Sequence, residues 1–333
     1  MKPLASLKAK ARQAASSPLV VRRLTQGLLV AMGLQAAALV LDTALPPDLS
    51  RGAQASPVAL DRRGAWLRAL PVEDGRWRIR ADLARTDERF VERLIAVEDA
   101  RFWRHPGVDP LAVVRAAGSA AITGEVSSGA STLTMQTARL LTPRPRTVPA
   151  KLVEMIRAVQ IEARLSKREI LALYLTLAPY GGNLEGVRAA SLSYFGHEPS
   201  TLTPGQQALL IALPQSPEAR RPDRRPEASR RARDQVLDKM VRAGVLSPIE
   251  AAEAGEEPMP DRAPFPALAW HAAGELARGA RSDEASVVST LDAGLQARLE
   301  PLVARAARAQ GAEASAAVMV VALDGRAVRA SVG

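Results

Sequence analysis

Between Val97 and Asp109 the sequence VEDARFWRHPGVD sets two adjacent carboxylates, Glu98 and Asp99, beside Arg101, Arg104 and His105 in one short connection. That set could move a proton. A helix-period segment with Phe90, Val91, Leu94 and Ile95 on one face runs up to it, so Glu98 falls at a helix C-terminus. The helix macrodipole is negative there and Asp99 stands alongside, so both disfavour the Glu98 anion and suit a general base. Arg101, Arg104 and His105 pull the other way and leave the balance open; a solvated charged turn accounts for the same residues.

Two further stretches carry chemically useful groups. GASTLTMQ puts Thr132 and Gln136 four residues apart on one helix face, with Arg139 a turn later and Ser131 as the expected cap. Small residues at a helix start leave N–H groups suited to an anion, although an ordinary capped helix reads the same way. KLVEMIR spaces Lys151, Glu154 and Arg157 three residues apart. The stripe is either an exposed ion-pair ladder, worth roughly a few tenths of a kcal/mol per pair, or a carboxylate bracketed by cations for phosphate or metal-bridged phosphate. Spacing does not choose between them.

The elements around these stretches follow from composition and pattern. Residues 1–23 hold six basic residues and no acid, and are expected to form a cytoplasmic tail. The run from Leu24 to Leu41 has no charge and spans about 27 Å as a helix, so 24–45 is expected to be one uncleaved transmembrane anchor. Residues 46–85 read as a linker and small β element, with strands over 58–68 and 75–79. From 86 to 255 the pattern is helical, with capping boxes at Ser166/Glu169, Thr203/Gln206 and Ser247/Glu250 and a helix from Glu227 to Ala243 stopped by Gly244. Residues 256–285 read as an interdomain linker, and 286–333 as a helix followed by a hairpin about Asp324-Gly325.

The 333 residues suffice for one large domain or two ordinary ones, and the absence of cysteine excludes disulfides and thiolate metal sites. A net charge of +10 favours anionic partners, while 3% aromatic residues argue against a nucleic-acid stacking platform. Phosphate and an acidic membrane surface remain; no nucleic-acid partner is expected.

Taken in order, these stretches resemble the peptidoglycan glycosyltransferase domain (family 51) of class A penicillin-binding proteins. The pattern ED-x-x-F-x-x-H-x-G-x-D is matched at Glu98, Asp99, Phe102, His105, Gly107 and Asp109, and G-x-ST-x-T-x-Q at Gly129, Ser131, Thr132, Thr134 and Gln136. Lys151 and Glu154 match the third motif, SKREILALYL the fourth, and AASLSYFG with ALLIALPQSP the last. APYGGNLEGVRAAS and RPDRRPE look most like the 1C type, and VVSTLDAGLQARLE resembles the entry to a transpeptidase domain. The chain contains no Ser-x-x-Lys, the motif of that domain's acylating serine.

The resemblance implies a mainly α, lysozyme-like, two-lobed glycosyltransferase domain behind one transmembrane helix, with the truncated α/β start of a transpeptidase domain. It implies polymerisation of lipid II, with the lipid-linked glycan chain as donor, inversion at MurNAc C1 and release of undecaprenyl pyrophosphate. The enzyme would sit on the periplasmic side of the bacterial inner membrane, bind moenomycin as a donor mimic, and work beside other cell-wall synthases. Glu98 would be the general base. Lys151, Arg139 and Arg157 would bind the diphosphate, with Glu154 orienting them or holding Mg²⁺ or another divalent cation. Ser131, Thr132 and Gln136 would contact donor sugar or phosphate, and Asp99, Phe102 and His105 would hold the Glu98 loop. The chain departs from the family pattern at Met135, Ala150, Thr176 and His197, where glutamine, arginine, asparagine and a basic residue are usual; Arg144 and Arg146 are near enough to replace the missing arginine. A non-catalytic lipid II-binding scaffold and a lysozyme-like hydrolase are the competing readings. The hydrolase needs a carboxylic acid at a sugar leaving group and has no use for a cationic cradle.

Overall fold

The computed structural model describes residues 42–115, 131–145, 147–280 and 286–333. The basic tail and residues 24–41 of the expected anchor lie outside them, and among the described residues no helix is long and apolar enough to cross a membrane. The chain divides into two compact units, Met1–Pro47 and Asp48–Gly333. The second unit holds the residues singled out above and is mainly α.

After a single helical turn at Ser50–Ala53, its first long helix, α1 (Glu88–Glu98), starts where Asp87 accepts the backbone N–H groups of Arg89 and Phe90, and it buries Phe90, Leu94 and Ile95. The loop after it leads to α2 (Leu133–Leu141), α3 (Val148–Glu162) and α4 (Lys167–Leu177). Thr132, not Ser131, caps α2: its hydroxyl accepts from the Met135 N–H. Ser131 is engaged elsewhere, by Lys151. The two-residue strand β4 (Leu184–Glu185) then precedes α5 (Val187–Phe195), α6 (Pro204–Ala212), α7 (Pro226–Arg242) and α8 (Pro248–Gly255). All three expected capping boxes are formed, at the starts of α4, α6 and α8. Gly244 follows α7 with φ +72°, a conformation open to glycine at little cost.

One apolar core joins these helices, with Phe90, Leu94, Phe102, Leu133, Ile161 and Tyr174 among its buried members. Thr176 and Met135 are both buried: the Thr176 hydroxyl accepts the Ala81 N–H at 3.0 Å, and Met135 is 1% exposed. One face of α3 is left uncovered, where Val148, Leu152, Ile156 and Val159 are exposed at helical spacing.

A smaller module lies beside this core. Strands β1 (Val58–Leu60), β2 (Trp66–Ala69) and β5 (Ser286–Val288) form a sheet in the order β2–β1–β5, with β1 antiparallel to β2 and parallel to β5. A separate strand β3 (Trp77–Arg78) pairs with β4. Helix α9 (Trp270–Gly279), within the stretch read as linker, buries Ala273 and Ala277 with Ala59, Leu67 and Leu291. The expected final helix and hairpin follow as α10 (Ala293–Ala309), β6 (Val318–Val321) and β7 (Val328–Val332), with Gly325 at φ +70° in the turn.

Candidate active site

Glu98 is the last residue of α1, and Asp99 terminates the helix by turning away at φ −160°. The two neighbouring carboxylates therefore serve different surroundings. The Glu98 side chain is half-buried, and each of its oxygens accepts an amide hydrogen: Oε2 from Gln136 Nε2 at 3.0 Å, Oε1 from Gln215 Nε2 at 2.7 Å. Asp99 points inward, where both its oxygens lie 3.0 Å from His105 Nε2 and Oδ2 also accepts the Leu133 N–H at 2.9 Å. Asp99 thus ties the turn to the N-terminus of α2, a favourable place for a negative charge.

The rest of the turn is braced from several sides. Phe102 is fully buried, with the Lys167 ammonium 4.5 Å from its ring centre. Lys167 also donates to the His105 carbonyl at 2.7 Å and to Glu162 at 2.6 Å, and Glu162 accepts the Thr134 hydroxyl at 2.6 Å. Arg101 bridges to Asp109 at 2.6 Å. Burial would raise the Asp109 carboxyl, but the N–H groups of Ala112 and Leu111 and the Arg101 guanidinium outweigh it and hold the group below its usual range. Gly107 sits at φ +90° with a virtual Cβ 2.7 Å from the Ala158 carbonyl oxygen, so only glycine lets the turn lie this close to α3.

The cations come from α2 and α3. Lys151 Nζ donates to Ser131 Oγ at 2.6 Å and to Glu154 Oε2 at 3.0 Å, with Lys151 partly exposed and Glu154 buried. The expected carboxylate–cation stripe is thus a formed pair facing the start of α2. Arg139, in the last turn of α2, makes no hydrogen bond or ion pair among the described residues. Burial first, then the nearby Glu98 charge, push the phenol of buried Tyr174 well above its ordinary range, while Arg139 pulls it back. Glu98 and Arg139 therefore act electrostatically on the same buried hydroxyl.

Not every expected contact residue faces the open space. Thr132 is 3% exposed, and its hydroxyl donates to the Gly107 carbonyl at 2.5 Å while capping α2. Arg157 donates to Gln160 at 2.8 Å on its own helix. Ala150 is packed in the first turn of α3, Arg144 is exposed, and Arg146 lies outside the described residues. His197 stays local, 2.9 Å from the Glu198 carbonyl oxygen and stacked beside Phe195. Gln215, Tyr174, Glu162 and Lys167 are the site residues that sequence reasoning did not single out. The first lies within LPQSP and the others within or just before SKREILALYL, which offered a motif but no spacing to tie them to Glu98.

A family model described as Transglycosylase matches residues 64–241, more than half of the chain. Penicillin-binding protein 1C of Escherichia coli (strain K12) is 46% identical over 232 residues, covering 69% of this chain and 30% of that protein. Penicillin-binding protein 1A of Aquifex aeolicus (strain VF5) is 37% identical over 173 residues, covering 52% of this chain and 24% of that protein. The chain spans less than a third of the length of either relative. A crystal structure of penicillin-binding protein 1A from Haemophilus influenzae aligns with 75% of this chain and 29% of that one, at 20% identity and a TM-score of 0.37.

Proposed function

The chain belongs to the transglycosylase family, and on that premise we propose that it polymerises lipid II into glycan strands with Glu98 as the general base. Glu98 takes the proton from the GlcNAc 4-hydroxyl of the incoming lipid II. That oxygen bonds to MurNAc C1 of the lipid-linked chain as the bond from C1 to the diphosphate oxygen breaks, which inverts the α-linkage to β. Undecaprenyl pyrophosphate leaves with its charge stabilised by Lys151 and Arg139, so no general acid is needed. Glu154 holds Lys151 toward the diphosphate, and Asp99, Phe102 and His105 keep the base in place.

One observation carries this reading. Helix α2 joins the base to the cation cluster, with Gln136 bonded to Glu98 and, at the helix start, Ser131 bonded to Lys151. Among the described residues no three His, Asp or Glu side chains converge on a metal position. Mg²⁺ or another divalent cation, if one takes part, would be held by Glu154, which otherwise orients Lys151. It would there neutralise phosphate charge.

The lysozyme-like lobes, the periplasmic placement on the inner membrane and the working contact with other cell-wall synthases belong to the same proposal. The exposed apolar face of α3, together with exposed Leu111 and Val114, supports meeting lipid-tailed substrates at a bilayer surface.

Incubating the detergent-solubilised chain with labelled lipid II, with and without Mg²⁺, tests the proposal. Strand formation that is lost in Glu98→Gln supports it. Lipid II binding without turnover would make the chain a scaffold, and cleavage of preformed glycan would make it a hydrolase.

A further inference from the structure

We infer that Gln215 is a positioning residue for Glu98 and that Arg220 fixes the orientation of its amide; the inference rests on the reading of Glu98 as the base. Gln215 closes the short turn Leu213–Gln215 that follows α6. Its Nε2 donates to Glu98 Oε1 at 2.7 Å, opposite the Gln136 amide on Oε2. A glutamine side chain has a donor end and an acceptor end, and only the donor end is compatible with a carboxylate. Arg220 decides which end faces Glu98. Its Nη1 donates to Gln215 Oε1 at 3.0 Å and to the Ala212 carbonyl at 2.7 Å, and a guanidinium has only donors, so the amide oxygen must face it.

Arg220 is itself anchored. Its N–H donates to the Ser216 carbonyl at 3.0 Å, and its own carbonyl accepts the hydroxyl of Ser229 from α7. The result is a directed series of guanidinium, amide and carboxylate. Both Glu98 oxygens are held by N–H groups from different parts of the chain, which fixes the plane of the carboxylate and leaves acceptor sites for an incoming hydroxyl. Because the two donors are neutral amides, they orient the base without placing a counter-charge on it.

The test uses the full chain and labelled lipid II, with Gln215→Leu, Arg220→Leu, Arg220→Lys and Glu98→Gln compared with wild type. Gln215→Leu is expected to lower kcat about tenfold or more and to leave KM within about twofold. It should also move the acid-side fall of activity to higher pH, because the carboxylate has lost a donor to its charged form. Arg220→Leu should follow it in kcat and pH profile, and Arg220→Lys should recover most of the loss. Thermal unfolding of Gln215→Leu should match wild type. A Gln215→Leu enzyme with wild-type kcat and pH profile, beside an inactive Glu98→Gln, overturns this inference and leaves the base standing. An active Glu98→Gln, or a wild type that binds without turnover, removes the base and the inference together. Loss of activity in Arg220→Leu with an unmoved pH profile and a lowered unfolding temperature makes Arg220 merely structural and overturns its part.

Discussion

Asp99 accepts the backbone N–H of Leu133 at 2.9 Å, so the residue next to Glu98 in the sequence ties down the start of the helix that carries Gln136. The same carboxylate holds His105, which is 5% exposed. Asp99→Ala would leave a buried N–H and a buried imidazole without their acceptor. The expected cost is about 2–4 kcal/mol, measured as a lower denaturant midpoint, together with lost polymerisation because Gln136 and Glu98 no longer register.

Phe102 gives a second, purely packing test. It is fully buried under the turn and carries Lys167 against its face. Phe102→Ala should destabilise the fold by about 3–5 kcal/mol, whereas Phe102→Leu should keep much of the stability. Chemical unfolding monitored by circular dichroism distinguishes them.

Lys151 and Glu154 separate charge from packing. Lys151→Ala removes the cation that Ser131 and Glu154 orient, and should cut kcat/KM for lipid II about a hundredfold, with Lys151→Arg recovering part of it. Glu154→Gln keeps the shape and loses the charge that steadies Lys151; it should fall between Lys151→Arg and Lys151→Ala in a steady-state polymerisation assay.

Acid stability follows from depressed carboxyls, Asp109 and Asp223 among them. The N–H groups of Ala112 and Leu111, with Arg101, outweigh burial at Asp109, and the Arg221 hydrogen bond lowers Asp223. A group depressed on folding contributes stability above its unfolded pKa, about 3.9 for aspartate, and loses it as pH falls through the folded value. The unfolding midpoint should therefore drop as the buffer is taken below about pH 4. In Asp109→Asn the drop should be smaller, with a lower starting stability. Denaturant titrations at pH 5 and pH 3 measure both.

Much of this was legible before the fold was known, because local rules are written in local sequence. The boxes at Ser166/Glu169, Thr203/Gln206 and Ser247/Glu250 need only a three-residue spacing, and they are formed. The choice between Ser131 and Thr132 as a cap was not legible, since both hydroxyls suit the role; the ammonium of Lys151, twenty residues away, takes the first. Gln215 was still harder to see: its bond to Glu98 spans 117 residues and exists only because α6 ends against the tip of α1. Lys167 sits inside a capping box, which explains its neighbours but says nothing of its reach to Phe102 and the His105 carbonyl. Helix α9 was hidden by the proline-rich composition before it, and forms because its small alanines fit closely on Ala59 and Leu67.

The parallel pairing of Val58–Leu60 with Ser286–Val288 gives the molecule a mechanical seam. The chain enters one strand and leaves the other at opposite ends of the ladder, so tension along the polypeptide pulls the two strands past each other and loads their hydrogen bonds in shear together. Everything between residues 61 and 285 hangs from that seam as a closed loop. A tug on the chain is carried across these three residue pairs and, ahead of Val58, also by Arg51 on Glu185 and by the Ser56 N–H on the Arg78 carbonyl.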